Sequence, residues 1–411
     1  MASRLPDSPS LDRLRRDART LQRAVRSGEP DALAFLDACH PRPSGTEPAT
    51  LTLADAQLAC ARRYGFPGWP ALVSYVETAR GLSTDPAAVH EEALAPPDAF
   101  CALACLQYDE RDAPPRRARA ETMLADAPTL VRDSIWAAAA ASDPVAVRAH
   151  LAADPGSARR RGGPYAWEPL LYLCYSRVPR QGSAEDAVDA AVALLDAGAD
   201  PDAGFLWRGL ATPFTALTGV FGEGEQGPHR QPRHPHDSLL AVLLLERGAE
   251  ANDGQTLYNR MFTPGTEHLE ILFRFGLGGP DRGPWRRRLG DALERPDEML
   301  DRQVRWAAEH GFADRIDLFA RNGVDVSGVR LRDPRALPDD PSAKTDGRTP
   351  LHEAAWDGDL ERIAALLAAG ADPTVTDDVH GGTPADWAEH AYQEEAAALL
   401  RRHTPGADSP A

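Results

Sequence analysis

The stretch "RTPLHEAAWDGD", residues 348–359, decides how this chain folds. Thr349 can cap a helix, and Pro350 suits its first turn because the backbone N–H that proline lacks has no partner there. Gly358 is placed to end that helix and to let a second one begin. His352 has neither a nucleophile nor a paired base in the motif, so the stretch indicates a structural element and not a catalytic centre.

The residues that follow complete a unit, "DGRTPLHEAAWDGDLERIAALLAAGADPTVTD" (346–377). Ile363, Leu366 and Leu367 recur at helical spacing. Gly370 is placed to end the second helix in the left-handed conformation. The unit resembles an ankyrin repeat, a turn followed by two antiparallel helices of about 33 residues.

Further copies of this unit extend in both directions, and Thr383 lies 34 residues after Thr349. They cover the segments 134–155, 167–203, 212–253, 256–279, 304–328 and 381–400. Two copies hold insertions between their helices, "VPRQGSAED" in the copy 167–203 and "EGEQGPHRQPRHPHD" in the copy 212–253. The sequence therefore predicts an all-α fold, an ankyrin-repeat solenoid of about seven units with an N-terminal helical cap.

The resemblance also implies a role for His352, which in ankyrin repeats bonds backbone and threonine groups of the neighbouring turns. The weaker copies carry Trp136, Tyr258 and Arg305 at this position. We expect that these departures weaken the hydrogen bonding of the turns. The array thus resembles a degenerate ankyrin array. The helical segment that precedes it in this chain resembles a segment found before ankyrin arrays in bacterial proteins.

The pattern of repeats and breaks divides the chain into seven parts. They are a disordered N-terminus (1–10), an N-terminal helical cap domain (11–80), a helical connector (81–130), degenerate ankyrin repeats with insertions (131–329), a Pro-rich loop (330–345), two well-formed ankyrin repeats (346–403) and a disordered tail (404–411). A terminal cap has a physical rationale, since an end repeat must cover one apolar face and show water the other.

Composition limits the classes of partner. The formal net charge is −17, from 62 acidic and 45 basic residues, which repels phosphate backbones and disfavours nucleic acid. Nowhere do about 18 uncharged apolar residues run together, so we expect no membrane span. Five scattered cysteines are typical of reduced thiols, and they predict a cytoplasmic location. We expect a monomer.

Other candidate sites are weak. Cys101 and Cys105 occupy one helix face and are typical of core thiols. Phosphate-binding loops and zinc-protease, serine-hydrolase and kinase motifs do not occur. The sequence therefore predicts a protein that is not an enzyme, without catalytic, cofactor-binding or metal-binding residues.

The one alternative to a chain without metal-binding residues is a metal site in the 222–236 insertion. His229, His234, His236 and Asp237 lie close together in it or at its end, and a metal site is conceivable there. Its Gly-, Pro-, Gln- and Glu-rich composition instead predicts a mobile, dispensable loop with no apolar residue to anchor it.

We expect the function of a protein–protein interaction scaffold or adaptor that binds a macromolecular partner through the concave face of the array. The candidate binding residues, which the scaffold itself does not need, are Arg348, Glu353, Trp356, Asp357 and His380. Trp356 has two interpretations: an exposed hot spot, or a residue packed against the next repeat near Trp387. The alternative function is a ligand- or metal-dependent regulatory or enzyme-associated protein that uses the 222–236 insertion.

Overall fold

Helices dominate the computed structural model, which describes residues 9–41, 47–178 and 183–404. These residues contain 23 α-helices and three short strands. The two ends expected to be disordered, 1–10 and 404–411, fall outside the described residues apart from residues 9, 10 and 404. Within the described part, no helix has both the length and the apolar character that a bilayer crossing requires.

The elements follow one another in three groups. The helices before the repeats are α1 (Leu11–Arg26), α2 (Pro30–Cys39), α3 (Leu53–Arg63), α4 (Trp69–Leu82), α5 (Pro96–Ala104), α6 (Pro114–Asp126) and α7 (Leu130–Asp133). The helices from residue 135 to residue 321 are α8 (Ile135–Ala140), α9 (Pro144–Ala153), α10 (Pro169–Tyr175), α11 (Ala184–Asp196), α12 (Ala216–Phe221), α13 (Gly227–Arg230), α14 (Asp237–Glu246), α15 (Gly254–Asn259), α16 (Glu267–Arg274), α17 (Pro284–Leu289), α18 (Pro296–Glu309) and α19 (Ala313–Arg321). The last four are α20 (Pro350–Asp357), α21 (Leu360–Ala368), α22 (Pro384–His390) and α23 (Glu394–His403). The strands β1 (Ser83–Thr84), β2 (Gly204–Trp207) and β3 (Phe214–Thr215) form one small sheet in that order, parallel and then antiparallel.

Seven helix pairs repeat along the described chain, at the places where the sequence predicts ankyrin units. The pairs are α8–α9, α10–α11, α12–α14, α15–α16, α18–α19, α20–α21 and α22–α23. The second helices of five pairs are followed by a glycine with φ between 79° and 100°, at Gly198, Gly248, Gly276, Gly323 and Gly370. An L side chain is strained in that conformation, so glycine ends these helices at the least cost. The left-handed end predicted at Gly370 is confirmed.

The first five pairs share one hydrophobic core, and the last two pairs have a core of their own. The shared core extends from Phe100 on α5 to Phe319 on α19. The second core extends from Leu351 on α20 to Leu400 on α23. We call residues 346–403, which contain this second core, the C-terminal pair of repeats. Between the two cores runs the polar segment 322–349, in which the Arg332 N–H donates to the Ala308 carbonyl at 2.9 Å.

The helices before the repeats cover the array at two places. Helices α5 and α7 pack on α8 and so cover the first repeat. Helix α4 instead packs on β2 and α17, where the Tyr75 hydroxyl donates to the Gly209 carbonyl at 2.7 Å. These two elements lie in finger turns, by which we mean the segments that join the second helix of one pair to the first helix of the next. Helix α4 of the predicted cap domain thus contacts the finger turns, whereas α5 and α7 of the predicted connector contact the first helix pair.

Candidate functional site

His352 is a structural residue. The Thr349 backbone N–H and hydroxyl both donate to its Nδ1, at 3.2 and 2.8 Å. A backbone N–H can only donate, so the ring proton is on Nε2, which donates to the Gly382 carbonyl at 3.0 Å. Burial lowers the pKa of His352 and favours this neutral form. The bonding that the resemblance implied is confirmed.

The candidate residues of the C-terminal pair surround its first helix. Arg348 lies in the finger turn and its Nε donates to Glu353 Oε1 at 3.2 Å. Glu353 and Asp357 are exposed on α20, and His380 is exposed in the next finger turn. These four side chains are accessible to a partner.

Trp356, the fifth candidate, is half-buried. Its ring centroid lies 5.8 Å from that of Trp387 in an edge contact, and 5.8 Å from that of His390 in a stacked one. A Cβ placed on Gly227 would lie 3.6 Å from the Trp356 Nε1, so the 222–236 insertion covers the ring from the other side. Of the two interpretations of Trp356, packing against the next repeat agrees with these contacts.

The 222–236 insertion is packed, and the prediction of a mobile loop is wrong. Glu223, Arg230, Gln231 and His234 are all buried. The Gln231 Nε2 donates to Asp112 at 3.2 Å, in the segment before the repeats. Polar anchors of this kind leave no signal in hydrophobic periodicity, which is why the composition suggested a solvated loop.

Contacts from both ends of the chain hold this insertion. From α6, the guanidinium of Arg117 donates to the carbonyls of Arg230 and His229, at 2.9 and 2.8 Å. The Arg230 side chain donates to the His390 carbonyl at 3.0 Å and to the Glu110 carbonyl. The insertion therefore connects the segment before the repeats with the last repeat.

The same insertion does not assemble a metal site. His234 is buried, and its Nδ1 accepts the His236 backbone N–H at 3.0 Å. Burial and then Arg177 lower the pKa of His234 well below its ordinary value, so the ring is neutral. His229 is exposed and separate. In the parts of the chain that the structure covers, no three His, Cys, Asp or Glu side chains are grouped so that they could hold a metal ion.

An open cavity of about 530 Å³ lies on the concave face, between the insertion and the finger turns. We call it the central groove. Its aromatic lining residues are Tyr108, Trp207, Phe214, Tyr258 and Trp285. Its carboxylates are Asp202, Glu225, Glu250, Asp253, Asp281 and Glu294, against one lining arginine, Arg302. The groove is therefore lined by aromatic rings and by more acidic than basic side chains.

Few of these carboxylates are neutralised by arginine. Asp281 pairs with Arg286 at 2.9 Å, and Glu294 with Arg302 at 2.8 Å. Among the described residues, no arginine, lysine or histidine lies within ion-pair distance of the other four groove carboxylates. Asp202 is the most perturbed of these: burial raises its pKa to about 7, and the nearby carboxylates of Asp200, Asp253 and Glu250 add to the effect.

The comparisons with known proteins identify one segment of the C-terminal pair. Residues 346–378 match the family model of the ankyrin repeat. This segment is therefore an ankyrin repeat. No curated protein sequence matches the chain. Among solved structures, it is similar to the crystal structure of the human ASB11 ankyrin repeat domain, with 18% identity over 67% of this chain and 98% of that chain and a TM-score of 0.30.

The central groove was not predicted from the sequence. One signal is present: Tyr258 stands at the position that His352 has in the best-preserved repeat, a departure from which we expect only weaker turn hydrogen bonding. In the structure its hydroxyl donates to Glu225 and its ring lines the groove. The departure from the consensus at this position therefore indicates a side chain that lines the groove and does not fix a turn.

Proposed function

We propose that the protein is a non-catalytic interaction scaffold or adaptor that binds a protein partner through its concave face. Ankyrin repeats generally mediate protein–protein interaction. The observation that carries the proposal is the central groove, an open cavity of about 530 Å³ on the face formed by first helices and finger turns.

A second contact area is proposed on the C-terminal pair, at Arg348, Glu353, Asp357 and His380. Its support is exposure, since none of these side chains is part of the second core. Trp356 supports the area from below, through its contacts with Trp387 and His390. We propose that one extended partner contacts both areas, because Gln226 of the insertion lines the groove and also bonds His390 at 3.3 Å.

Exchanging a charge pair tests the second area without disturbing the fold. In the double variant Arg348→Glu with Glu353→Arg, the ion pair persists with its polarity reversed. We expect that the tagged variant no longer captures the partner that the native chain captures from its own cells, while its melting temperature stays within a few degrees. Arg402→Glu, an exposed change on α23, is the matched control and should capture normally.

Capture at full strength by the exchanged variant would place the partner elsewhere. The harsher combination of Trp356→Ala with Arg348→Glu separates a binding role of the tryptophan from a packing role. Loss of capture with an unchanged melting temperature would make Trp356 a contact residue. Unfolding would make it part of the packing between the last two repeats.

We propose further that the protein works as a monomer in the cytoplasm. All five cysteines are free, and burial raises the pKa of Cys101, Cys105 and Cys174, which keeps these thiols unreactive. The negative charge of the groove favours a protein partner over nucleic acid.

A further inference from the structure

The C-terminal pair of repeats has little helix contact with the repeats before it. From the first pair to the fifth, each first helix packs on the next, in the order α8, α10, α12, α15 and α18, and α20 packs on α22. Among the described residues, the contact of α18 with α20 and of α19 with α21 is at most marginal. The two sides also have separate hydrophobic cores. The C-terminal pair is therefore a unit of its own within the array.

The segment 322–349 joins this unit to the fifth pair, and its contacts are polar. From α21, the Arg362 guanidinium donates to the carbonyls of Pro334 and Ala336. The side chains of residues 330–337 are all exposed. Loop residues without buried side chains are suited to absorb the change of backbone angles that a hinge requires.

The 222–236 insertion makes the other contact with this unit. Gly227 and Arg230 are both buried, and the three atoms nearest to a Cβ placed on Gly227 all belong to the Trp356 ring. The Arg230 guanidinium donates to the His390 carbonyl at 3.0 Å and lies 5.5 Å from the Tyr392 ring centroid. The insertion therefore lies against the first helices of the last two repeats, on the face that a partner of the array would contact.

This contact is polar, and its central charge has no counter-charge. None of the side chains of residues 222–236 belongs to either hydrophobic core. Arg230 is only 7% exposed, yet among the described residues it has no carboxylate partner, and its Nε makes no hydrogen bond. Because a buried charge without an anion pays a desolvation penalty, the contact stabilises the docked arrangement only modestly.

We propose that the 222–236 insertion is an autoinhibitory contact: in the closed state described above it covers Trp356, and the C-terminal pair moves away as one unit about segment 322–349 to expose this surface to the partner. The inference rests on the proposed function and adds its regulation. The open state presents the Trp356, His390 and Tyr392 rings together. Trp356 is then packed in the closed state and a contact residue in the open one.

A distance measurement within the full chain tests the opening. Spin labels on Glu246→Cys and Arg402→Cys, two exposed positions on α14 and α23, report how far the C-terminal pair lies from the third pair. Cys39→Ser is included because the other four cysteines are buried. We expect a narrow distribution of distances in the otherwise native chain. Arg230→Ala with Gln226→Ala should give a broader distribution at longer distances.

Hydroxyl-radical oxidation, read by mass spectrometry, tests the exposure of Trp356. In the same double variant we expect several-fold faster oxidation of Trp356, with unchanged oxidation of Trp167 in the shared core. His229→Ala, an exposed change in the same insertion, is the matched control and should leave both measurements at native values. Gln226→Ala alone, at a half-buried residue that bonds His390, should shift them in the same direction by less.

A reversible cross-link tests whether the contact inhibits binding. In the Cys39→Ser chain, Gln226→Cys and His390→Cys are joined by a short bis-methanethiosulfonate reagent, which a reductant removes. We expect that the cross-linked chain does not capture the protein that the native chain captures from its own cells. Reduction of the same sample should restore the capture.

Three results overturn the inference. The first is a folded double variant whose distances and Trp356 oxidation equal those of the native chain, since the segment 322–349 alone would then hold the pair in place. The second is an effect of the His229→Ala control as large as that of the double variant. The third is equal capture by the cross-linked and the reduced chain. If the native chain captures no protein at all, the proposed function fails, while the distances and the oxidation still decide whether the insertion releases the pair.

Discussion

The C-terminal pair of repeats and the five pairs before it reach the same architecture with different chemistry. In the C-terminal pair, alanine and leucine fill a small core, and the Thr349–His352 bonds fix the finger turn. The five earlier pairs have lost that motif but share the larger core. The consensus motif therefore makes a repeat recognisable, while other contacts are able to hold it together.

Aromatic packing is the first kind of contact that stabilises the five earlier pairs in place of the motif. Trp167 stacks on Phe205 with centroids 4.5 Å apart and contacts Tyr175 at 5.0 Å. Phe205 in turn stacks on Phe214 at 5.5 Å. Large rings bury more area than the leucines of a consensus repeat, so they compensate for weaker turns.

Buried arginines are the second replacement. Arg315 is fully buried and donates to the carbonyls of Arg260 and Gly265 at 2.5 and 2.9 Å. Arg260 is itself buried and forms an ion pair with Glu223 of the insertion, without the alignment of a hydrogen bond. Burial lowers the pKa values of Arg260 and Arg315, to about 10 and about 9, and leaves both charged at neutral pH.

Among the variants that test this comparison, we expect Glu223→Ala to lose the most unfolding free energy. It leaves Arg260 buried with no carboxylate in contact, which should cost about 3–5 kcal/mol of unfolding free energy. The measurement is the midpoint of denaturant unfolding, followed by tryptophan fluorescence. Glu246→Ala, an exposed change, should leave the midpoint in place. A midpoint as close to native for Glu223→Ala as for the control would mean that polar groups do not stabilise the earlier pairs.

Leu366→Ala tests the C-terminal pair of repeats, which depends on apolar packing. Leu366 is completely buried in the second core, and truncation should cost about 2–5 kcal/mol. Hydrogen exchange should show the loss first in residues 346–403, because these repeats have a core of their own. Leu367→Ala, at a half-buried neighbour, should cost less. Equal loss of protection along the whole chain would show that the two regions unfold as one.

Arg230→Ala gives the smallest of these changes and measures the coupling between the regions. It removes the bonds to the His390 and Glu110 carbonyls and a cation–ring contact with Tyr392. We expect a loss of about 1–3 kcal/mol and a thermal transition that broadens or splits. His229→Ala, an exposed change in the same insertion, is the control. Deleting residues 222–236 should have the same effect more strongly, and a deletion variant that melts like the native chain would show that the contacts couple nothing.

The sequence was sufficient for the features that depend on local structure. The cap at Thr349, the left-handed Gly370 and the helical spacing of Leu366 each involve residues a few positions apart, and all are present as predicted. The positions of the seven helix pairs follow from these local signals. A repeat array is predictable to this extent because each unit packs mainly on its neighbours.

The groove and the packed insertion could not be predicted in that way. Arg117 bonds Arg230, 113 residues further along the chain, and Arg230 bonds His390, 160 residues beyond itself. Such contacts depend on the curvature of the whole array, which no local pattern encodes. A segment that is anchored by buried polar side chains has the same composition as a solvated loop. The composition of the insertion therefore predicted a mobile loop.

The link from Arg230 to His390 has a mechanical consequence. In a solenoid, each repeat contacts only its neighbours. Small changes at successive contacts therefore add up, and the curvature of the array and the width of its concave opening can vary. Here the insertion of the third helix pair is hydrogen-bonded to the seventh pair, and we expect this link to restrict changes in curvature. We therefore expect the width of the concave opening to vary less in the native chain than in a variant that lacks this link.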